Sequence, residues 1–304
     1  MNKIIKIIKN PSKILLFLDN HRLIKLSDKF FLRLMYKNKM GKKLNLDNPQ
    51  TFNEKLQWLK LNDRKEIYTT MVDKYEVKDY VSNIIGDEYI IPTLGVYNSW
   101  EEINFDALPK QFVIKCTHDS GGLVICKNKN NLDIKNAKKR IDKCLNNNYY
   151  YNWREWPYKN VKPRIIVEKY IQDNNNDDLR DYKFFCFNGE PMIVLVCSER
   201  FSSDNMCETW FDANWNLLDI TEDNHRTDNT LKKPINFEKM KEFSRKLSKD
   251  KPFIRVDFYE VNNKVYFGEL TFYPSSGFEK FDPEEWDYKL GQLIDLKKVE
   301  SNEE

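Results

Sequence analysis

The sequence lacks the patterns that mark zinc-binding, secreted and membrane-spanning proteins. Its six cysteines form no CxxC pair and no Cys/His zinc spacing, and most of them lie in apolar, strand-like stretches. We therefore expect reduced, buried thiols in a cytosolic protein. The longest early apolar run, Ile14 to Leu18, is closed by Asp19, which makes it too short for a transmembrane helix, and no small-residue cleavage site accompanies it. We expect a chain that is neither exported nor membrane-spanning.

Several familiar catalytic signatures are also missing. No Ser-His-Asp or Cys-His arrangement can be defended, and His118 fits a loop residue better than a general base, so no protein nucleophile is predicted. The glycine-containing loop at 117–122 lacks a GK[ST] sequence and leads into a predicted strand, which argues against a Walker A loop. A metal-dependent glycosyltransferase requires an acidic pair at the end of an apolar strand, whereas Asp177-Asp178 lies in an asparagine-rich loop.

Basic charge is concentrated near the N-terminus. Of the 50 basic and 47 acidic residues, twelve Lys or Arg and two Asp fall within 1–43, so the remainder is net negative. A nucleic-acid-binding domain would spread its basic residues over its main folded surface, and we therefore expect no nucleic-acid partner. Apolar clusters alternate with lysines at helical spacing over 1–40. Such a segment can lie on an anionic membrane surface or pack on the body as a helical arm, and the sequence leaves both open.

The length and composition, 304 residues with 40% hydrophobic content, allow a real core and two or three lobes. The patterns predict an α+β protein with a basic N-terminal arm (1–45), an N-terminal lobe (46–108), a small lobe (109–170) and a large lobe (171–304). Thr51 and Glu54 form a capping box, so a helix begins near Phe52. Another helix is predicted over roughly 66–84.

Predicted strands fill the small and the large lobes. In the small lobe a helix near 133–147 accompanies strands at 112–116, 123–127 and 164–170. In the large lobe Asn188-Gly189 is a strong hairpin signal. The remaining predicted elements are strands at 182–187, 192–197, 209–212 and 215–220, a helix near 237–248 and a final hairpin of 253–260 with 264–272.

The final hairpin carries Arg255, Asp257, Glu269 and Thr271 at matched two-residue spacing. Because a strand alternates faces, a three-residue loop, Asn262–Lys264, would place Asp257 opposite Glu269, whereas a two-residue turn sends them to opposite faces unless a bulge re-aims one. Two such carboxylates, with Asp257 solvated, could hold magnesium together with substrate phosphates. An ordinary hairpin with a solvated polar face is the alternative.

Lys115 ends an apolar strand and precedes a tight loop that contains Gly121 and Gly122. Glycines free the backbone to point N–H groups into one concavity, a nest for phosphate oxygens, and the nearby ammonium adds charge. A Gly-Gly turn beside a snorkelling lysine would look the same.

The order of charged residues resembles the ATP-grasp fold, in which ATP lies between two α+β lobes. That order is Lys74, Lys115 with its glycine loop, Glu168, Lys183, Asp257 and Glu269. More closely, NPQTFNEKLQWLKLNDR, VIKCTHDSGG, DYKFFCFNGEP and YPSSGFEKFDPEEWDYKLG resemble the TupA-like ATP-grasp family of surface-polysaccharide gene clusters. The likeness covers roughly residues 44–297.

The resemblance implies a set of nucleotide contacts. Lys74 and Lys115 would contact the phosphates of ATP, and the loop Ser120, Gly121 and Gly122 would close over them. Glu168 and the backbone through Lys169 and Tyr170 would meet the adenine. An acid at Asp173 or Asp181 would meet the ribose, and Lys183 or Arg180 would reach the γ-phosphate.

The resemblance also implies that Asp257, Glu269 and Thr271 hold magnesium, with Arg255 stabilising transition-state charge. Thr271 is a departure, since ATP-grasp enzymes often have Asn there. Plainer interpretations stay open: Lys74 as a surface lysine, Glu168 as the partner of Lys169 or Lys183, and Arg180 with Asp181 as a surface ion pair. The aromatic tract at 149–158 could stack on sugars, form a lid or simply pack.

The resemblance implies an ATP-dependent carboxylate–amine ligase that forms an acyl phosphate and uses ATP and Mg²⁺. Its expected partners are an acidic sugar or polysaccharide precursor, an amine or amino acid, and an anionic membrane surface, which would place it in the cytoplasm at the inner membrane face. The alternatives are a glycosyltransferase of a polysaccharide cluster, an ATP-grasp sugar kinase and a non-catalytic, membrane-associated assembly factor.

Overall fold

Two antiparallel sheets organise the protein. The computed structural model describes residues 11–119, 121–173, 179–199, 206–222 and 227–300, apart from the side chains at 298 and 300. One sheet has four strands and the other has five, and helices flank both. Side chains from both sheets line one shared cavity, so the sheets meet at a cleft. The predicted α+β class is confirmed.

The described chain opens with helices α1 (Pro11–Asn20), α2 (Asp28–Met40), α3 (Phe52–Asn62), α4 (Ile67–Val72) and α5 (Glu76–Ile85). The capping box is confirmed. The Glu54 backbone N–H donates to Thr51 Oγ1 over 3.2 Å, and the Glu54 carboxylate accepts from the Thr51 N–H over 3.3 Å. These bonds satisfy backbone donors that the first turn of α3 would otherwise leave unpaired.

The single helix predicted over 66–84 is wrong, because the chain breaks between α4 and α5. The Asp73 side chain accepts hydrogen bonds from the N–H groups of Tyr75 (2.8 Å) and Glu76 (3.3 Å). Aspartate competes in this way with helical hydrogen bonding and favours a new N-terminus. The break frees the Lys74 N–H to donate to the Thr117 carbonyl over 3.0 Å, so Lys74 reaches toward the first sheet.

The first sheet contains β1 (Thr93–Tyr97), β2 (Phe112–Cys116), β3 (Leu123–Cys126) and β4 (Ile165–Lys169), in the spatial order β1-β4-β2-β3. The three strands predicted in the small lobe are confirmed. Helix α6 (Ile134–Leu145) packs its buried Ala137 and Ile141 on this sheet, and the short helix α7 (Tyr149–Trp153) follows. Strand β1 lies within 46–108 but pairs with β4 of the small lobe.

The second sheet has the order β10-β9-β5-β6-β7. Its strands are β5 (Asp181–Phe187), β6 (Glu190–Ser198), β7 (Cys207–Asp212), β9 (Phe253–Val261) and β10 (Lys264–Thr271). A small pair is formed by β8 (Thr221–Glu222) and β11 (Phe281–Asp282), and the remaining helices are α8 (Phe237–Ser248), α9 (Glu285–Gln292) and α10 (Lys297–Glu300).

Turns in the second sheet follow local sequence closely, but one predicted strand does not form. Asn188 and Gly189 have positive φ values of 52° and 90°, which confirms the predicted Asn-Gly hairpin. Residues 215–220 form only an isolated bridge, Leu217 with Phe211. The core beneath this sheet is rich in aromatic rings, including Phe52, Phe184, Phe185, Trp210, Phe237, Phe253 and Phe258.

The six cysteines are free thiols. Five are buried, as expected, and Cys144 is partly exposed. Burial raises the pKa of the Cys186 thiol to about 12, so this sulfur behaves as a small apolar side chain at neutral pH. None of the helices in the described part of the chain has the length and apolar content that crossing a bilayer requires.

The described part of the N-terminal arm packs on the body. Leu16, Phe31 and Leu32 are buried in a cluster with Leu44 and Leu46. Residues 1–10 of the predicted arm lie outside the described residues. Helices α1 and α2 therefore form a structural arm from residue 11 onward.

A buried arginine fixes this arm to the aromatic tract. Arg154, 2% exposed, pairs with Asp19, which is 3% exposed, and its Nε lies 3.1 Å from Asp28 Oδ1. Its guanidinium also lies 4.0 Å from the centre of the Phe31 ring. The Tyr150 hydroxyl donates to Asp28 over 2.6 Å. The structure thus favours packing over sugar stacking for this part of the tract.

Replacing Arg154 with Met should lower the free energy of unfolding by about 3–5 kcal/mol, because the buried Asp19 would lose its cation. Lys138→Met is the matched control, since its partner Glu101 is exposed, and it should change stability by less than about 1 kcal/mol. Urea denaturation followed by circular dichroism measures both. Equal, small effects would contradict a structural role for Arg154.

Candidate active site

A cavity of about 310 Å³ lies between the two sheets. It is lined by side chains of both signs: the lysines are Lys74, Lys78, Lys115 and Lys183, and the carboxylates are Asp119, Glu168, Asp181 and Glu269. The lysines come from the segment around α5, from β2 and from β5. The cleft therefore gathers charges that lie more than a hundred residues apart in the chain.

Glu168 connects two of these lysines. It lies opposite Val113 of β2 and Thr93 of β1, so its side chain shares a face with Lys115, two residues beyond Val113. Glu168 Oε2 is 2.6 Å from Lys115 Nζ, and Oε1 pairs with Lys78 Nζ. Burial alone would raise the pKa of Glu168, but the two ammonium groups hold it below its usual range. Glu168 does pair with lysines, although not with Lys169 or Lys183.

Lys74 lies at the break between α4 and α5. Its Nζ donates to the Asp119 carbonyl over 2.6 Å, and its side chain lines the cavity. Burial lowers the pKa of Lys74, with Glu269 as the main opposing influence. The surface-lysine interpretation is therefore wrong for this residue.

The glycine loop closes one end of the cavity, although Ser120 lies outside the described residues. A Cβ added at Gly122 would come within 2.8 Å of Cys116 Sγ, so the close approach of this loop to β2 needs glycine. The Gly121 N–H donates to Asp119 Oδ1 over 3.1 Å. His118 is 2% exposed, and its Nε2 lies 3.0 Å from the Asn147 carbonyl, which fits a packed loop residue.

The register of the final hairpin comes from a bulge. The expected three-residue loop is wrong: Asn262 and Asn263, both with positive φ, form a two-residue turn that pairs Val261 with Lys264. The pairing then shifts between Phe267 and Glu269, so Glu269 still lies opposite Asp257. Gly268 occupies the shift, where an added Cβ would meet the Asp257 carbonyl at 3.0 Å. A bulge of this kind re-aims the side chains beyond it.

Three strands bring the hairpin residues into two rows. Lys183, Asp257 and Glu269 lie side by side across β5, β9 and β10, and Arg255 lies beside Thr271. Lys183 Nζ is 2.7 Å from Asp257 Oδ2. Arg255 donates two hydrogen bonds of 2.7 Å to Asp257, and it also donates to Glu269 and Thr271, each over 3.1 Å.

The two carboxylates differ in exposure and in the direction of their pKa shifts. Asp257 is 1% exposed, and burial raises its pKa although Arg255 and Lys183 oppose this. The expectation of a solvated Asp257 is therefore wrong. The Glu269 side chain is 42% exposed. Partial burial would raise the pKa of Glu269, but Arg255 and Lys183 lower it to about 2, so the group is ionised at neutral pH.

Asp181 and Arg180 are neighbours in the chain but line different cavities. Asp181 Oδ2 is 2.6 Å from Lys183 Nζ, and the residue is 2% exposed, so it lies under the lysine. Arg180 instead lines a different cavity, of about 320 Å³, with Tyr182 and Lys232. The structure does not bring Arg180 together with Lys183.

A second, more apolar pocket of about 120 Å³ adjoins the cavity and shares Ile91, Lys115, Leu123, Glu168 and Tyr259 with it. Its other lining residues are Val113, Ile125, Lys127, Lys169, Tyr170, Ile171, Gln172, Asp173 and Leu179. Lys169, Tyr170 and Asp173 are thus brought together here, beside the charged cavity. An apolar pocket next to a charged one suits a ligand with a flat apolar ring and an anionic tail.

Sequence reasoning missed Lys78, Asp119 and Tyr259, which all line the cavity. Lys78 follows Lys74 by four residues, a spacing that could have indicated a second lysine on the same side of a helix. Tyr259 follows Asp257 by two residues and so faces the same way. Asp119 lies inside the glycine loop, and nothing in its spacing distinguished it.

Two α+β halves around a lysine-lined cleft with an adjoining apolar pocket define a nucleotide-binding protein of the ATP-grasp class. The sequence matches the family model TupA-like ATPgrasp over residues 54–295, and the chain belongs to that family. This confirms the predicted family and the ATP-grasp fold. No curated protein matches the sequence.

Solved structures show similar but distant folds. D-alanine–D-alanine ligase from Bacillus anthracis, complexed with ATP, is 16% identical with a TM-score of 0.43, covering 77% of this chain and 67% of that one. The Helicobacter pylori enzyme is 18% identical, with a TM-score of 0.42 and coverage of 80% and 69%. The ATP-grasp ligase PsnB, complexed with minimal precursor, Mg and ADP, is 10% identical, with a TM-score of 0.38 and coverage of 86% and 65%.

Substitutions of the two hairpin carboxylates, Asp257 and Glu269, should have different effects on stability and on metal binding. Asp257→Asn should lower the free energy of unfolding by about 3 kcal/mol, because Arg255 and Lys183 lose a buried anion. Glu269→Gln, at the exposed position, should change stability by less than about 1 kcal/mol while it weakens Mg²⁺ binding in the presence of nucleotide. Thermal unfolding and calorimetric titration measure the two effects. A stable Asp257→Asn variant would contradict the buried network.

Proposed function

We propose that this protein is an ATP-dependent carboxylate–amine ligase that works through an acyl phosphate. The observation that carries the proposal is the row of Lys183, Asp257 and Glu269 across three strands, in which Lys183 and Glu269 line the same cavity as Lys74 and Lys115. Cations around a polar cavity stabilise the negative charge of a transferring phosphoryl group, and such transfer depends mainly on positioning and electrostatics.

The two adjoining pockets suggest how ATP would lie. The apolar pocket would take the adenine, near the backbone of Lys169 and Tyr170, and Asp173 would meet the ribose. The phosphates would extend into the charged cavity, where Lys74, Lys115 and Lys183 point. The loop with Gly121 and Gly122, together with Ser120, would cover them with backbone N–H groups.

The hairpin fits a magnesium ion that arrives with the nucleotide. Glu269 is ionised and partly exposed, whereas both oxygens of Asp257 already accept from Arg255. Among the described residues no group of three acidic, histidine or cysteine side chains is gathered for a metal. Magnesium is commonly held by one or two carboxylates plus substrate phosphates, so Glu269, with the Thr271 hydroxyl beside it, would hold the ion, and Asp257 would contribute an oxygen only by giving up a bond from Arg255 or Lys183. When bound, the ion would neutralise charge on the phosphates.

In the proposed reaction a carboxylate oxygen of the acid substrate attacks the γ-phosphorus of ATP. The bond from that phosphorus to the β-γ bridging oxygen breaks, and ADP leaves. An amine nitrogen then attacks the acyl carbon, phosphate leaves, an amide forms, and the amine proton passes to solvent. Lys183 and Arg255 are placed to stabilise the charge, and the described residues supply no nucleophile to this scheme.

The substrates we propose are an acidic sugar or surface-polysaccharide precursor and an amine or amino acid. The support is the resemblance to a family of surface-polysaccharide gene clusters. We also propose that the protein works in the cytoplasm at the inner membrane face, because residues 1–10 carry Lys3, Lys6 and Lys9 among isoleucines. Basic residues interleaved with apolar ones are attracted to anionic lipid surfaces.

The reaction can be tested with hydroxylamine, which traps an acyl phosphate as a hydroxamate even when the natural amine is unknown. With Mg²⁺, ATP and a panel of acidic sugars, we expect ADP and a hydroxamate, detected by mass spectrometry. Lys183→Met should reduce turnover by about 10²-fold or more, since it removes a charge aimed at the phosphoryl group. AMP with pyrophosphate, or a stable phosphate ester on a sugar hydroxyl, would overturn the ligase proposal, and the ester would favour a kinase.

We expect membrane association to depend on residues 1–10, because this segment carries three lysines among isoleucines. Replacing Lys3, Lys6 and Lys9 with Gln should reduce sedimentation with phosphatidylglycerol vesicles, and salt should weaken wild-type binding. The matched control removes three exposed lysines from α6, namely Lys135, Lys139 and Lys143. Equal losses in both triple variants would contradict an N-terminal membrane contact.

A further inference from the structure

Lys78 is held in place more firmly than Lys115, the other lysine that pairs with Glu168. Lys78 Nζ donates to the Ile91 carbonyl over 2.7 Å and to Thr93 Oγ1 over 3.0 Å, in addition to its pair with Glu168. Its side chain is 11% exposed, whereas that of Lys115 is 24% exposed. Lys78 is thus tied at once to β1 and to β4, and Lys115 is the lysine with more freedom to turn.

If Lys115 turned away, Glu168 would lose one of the two lysines that pair with it. Its side chain is 6% exposed, and a carboxylate that is buried without a cation is strongly unfavourable. If Lys115 turns to the phosphates of a nucleotide, Glu168 needs a second cation that stays behind. Lys78 already occupies the other carboxylate oxygen.

We propose that Lys78 is a positioning residue that keeps Glu168 paired, so that Lys115 is released to bind nucleotide phosphates. The inference rests on the proposed ATP site and adds a residue to it. Lys78 acts through Glu168 and is not required to touch the nucleotide. Without Lys78, Glu168 would retain Lys115 as its only partner in this ion-pair set, and the nucleotide would have to compete with a buried carboxylate for that lysine.

A double-mutant cycle tests this scheme. Binding of a non-hydrolysable ATP analogue with Mg²⁺ is measured by calorimetry for the wild type, Lys78→Met, Glu168→Gln and the double variant. Lys78→Met alone should weaken binding by about tenfold or more, which corresponds to about 1.4 kcal/mol. In the Glu168→Gln background the same substitution should change the affinity by less than about threefold, because no buried carboxylate remains to hold Lys115.

Two further variants guard the interpretation. Lys78→Arg keeps the cation and should restore most of the affinity, and Lys135→Met removes an exposed lysine and should leave binding unchanged. If Lys78→Met does not fold, as judged by its thermal transition, Lys78→Gln takes its place in the cycle, since it keeps a donor for the Ile91 carbonyl without the charge.

The outcomes separate this inference from the proposed function. Wild-type protein that fails to bind the analogue would overturn the proposed function and this inference with it. Wild-type binding with an equal loss from Lys78→Met in both backgrounds would show direct nucleotide contact and overturn the inference alone. Unchanged binding in Lys78→Met would overturn it as well.

Discussion

Two buried carboxylates govern the architecture of the cleft, because each must keep its cations close. Glu168 in the first sheet holds Lys78 and Lys115, and Asp257 in the second holds Lys183 and Arg255. A buried charge without a partner is far more unfavourable than a buried pair, so neither sheet can shift without disturbing the groups that face the cavity. Lys183 and Arg255 are therefore oriented before any ligand arrives, which is the condition for electrostatic stabilisation of a developing charge.

The charged residues of the cleft were readable from the sequence because their order and two-residue spacings are local properties. The spacing could not predict which residue each charged side chain would pair with. Glu168 pairs with Lys78 and Lys115, not with its neighbour Lys169, because the antiparallel pairing of β2 with β4 sets that contact. Likewise the sequence of residues 66–84 predicted one long helix, and the side chain of Asp73 ended it through hydrogen bonds that propensity does not capture.

In the final hairpin a two-residue turn occurs together with the expected placement of Glu269 opposite Asp257. Val265 and Phe267 are buried in the core, yet they have the same odd-numbered phase as Glu269, which faces the cleft. A regular strand cannot send these side chains to opposite faces. After the bulge the core positions become Leu270 and Phe272, so the apolar phase changes by one residue at Gly268. That change of phase was visible in the sequence and is the signal that would have found the bulge.

The same bulge has a consequence for self-association. Strand β10 lies at the edge of the five-stranded sheet, where unpaired backbone groups offer a template to a strand from another molecule. An irregularity in mid-strand interrupts the even spacing that such a template needs, and it twists the edge locally. One glycine therefore both aims Glu269 into the cleft and keeps the neighbouring edge from acting as a seed for intermolecular sheet growth.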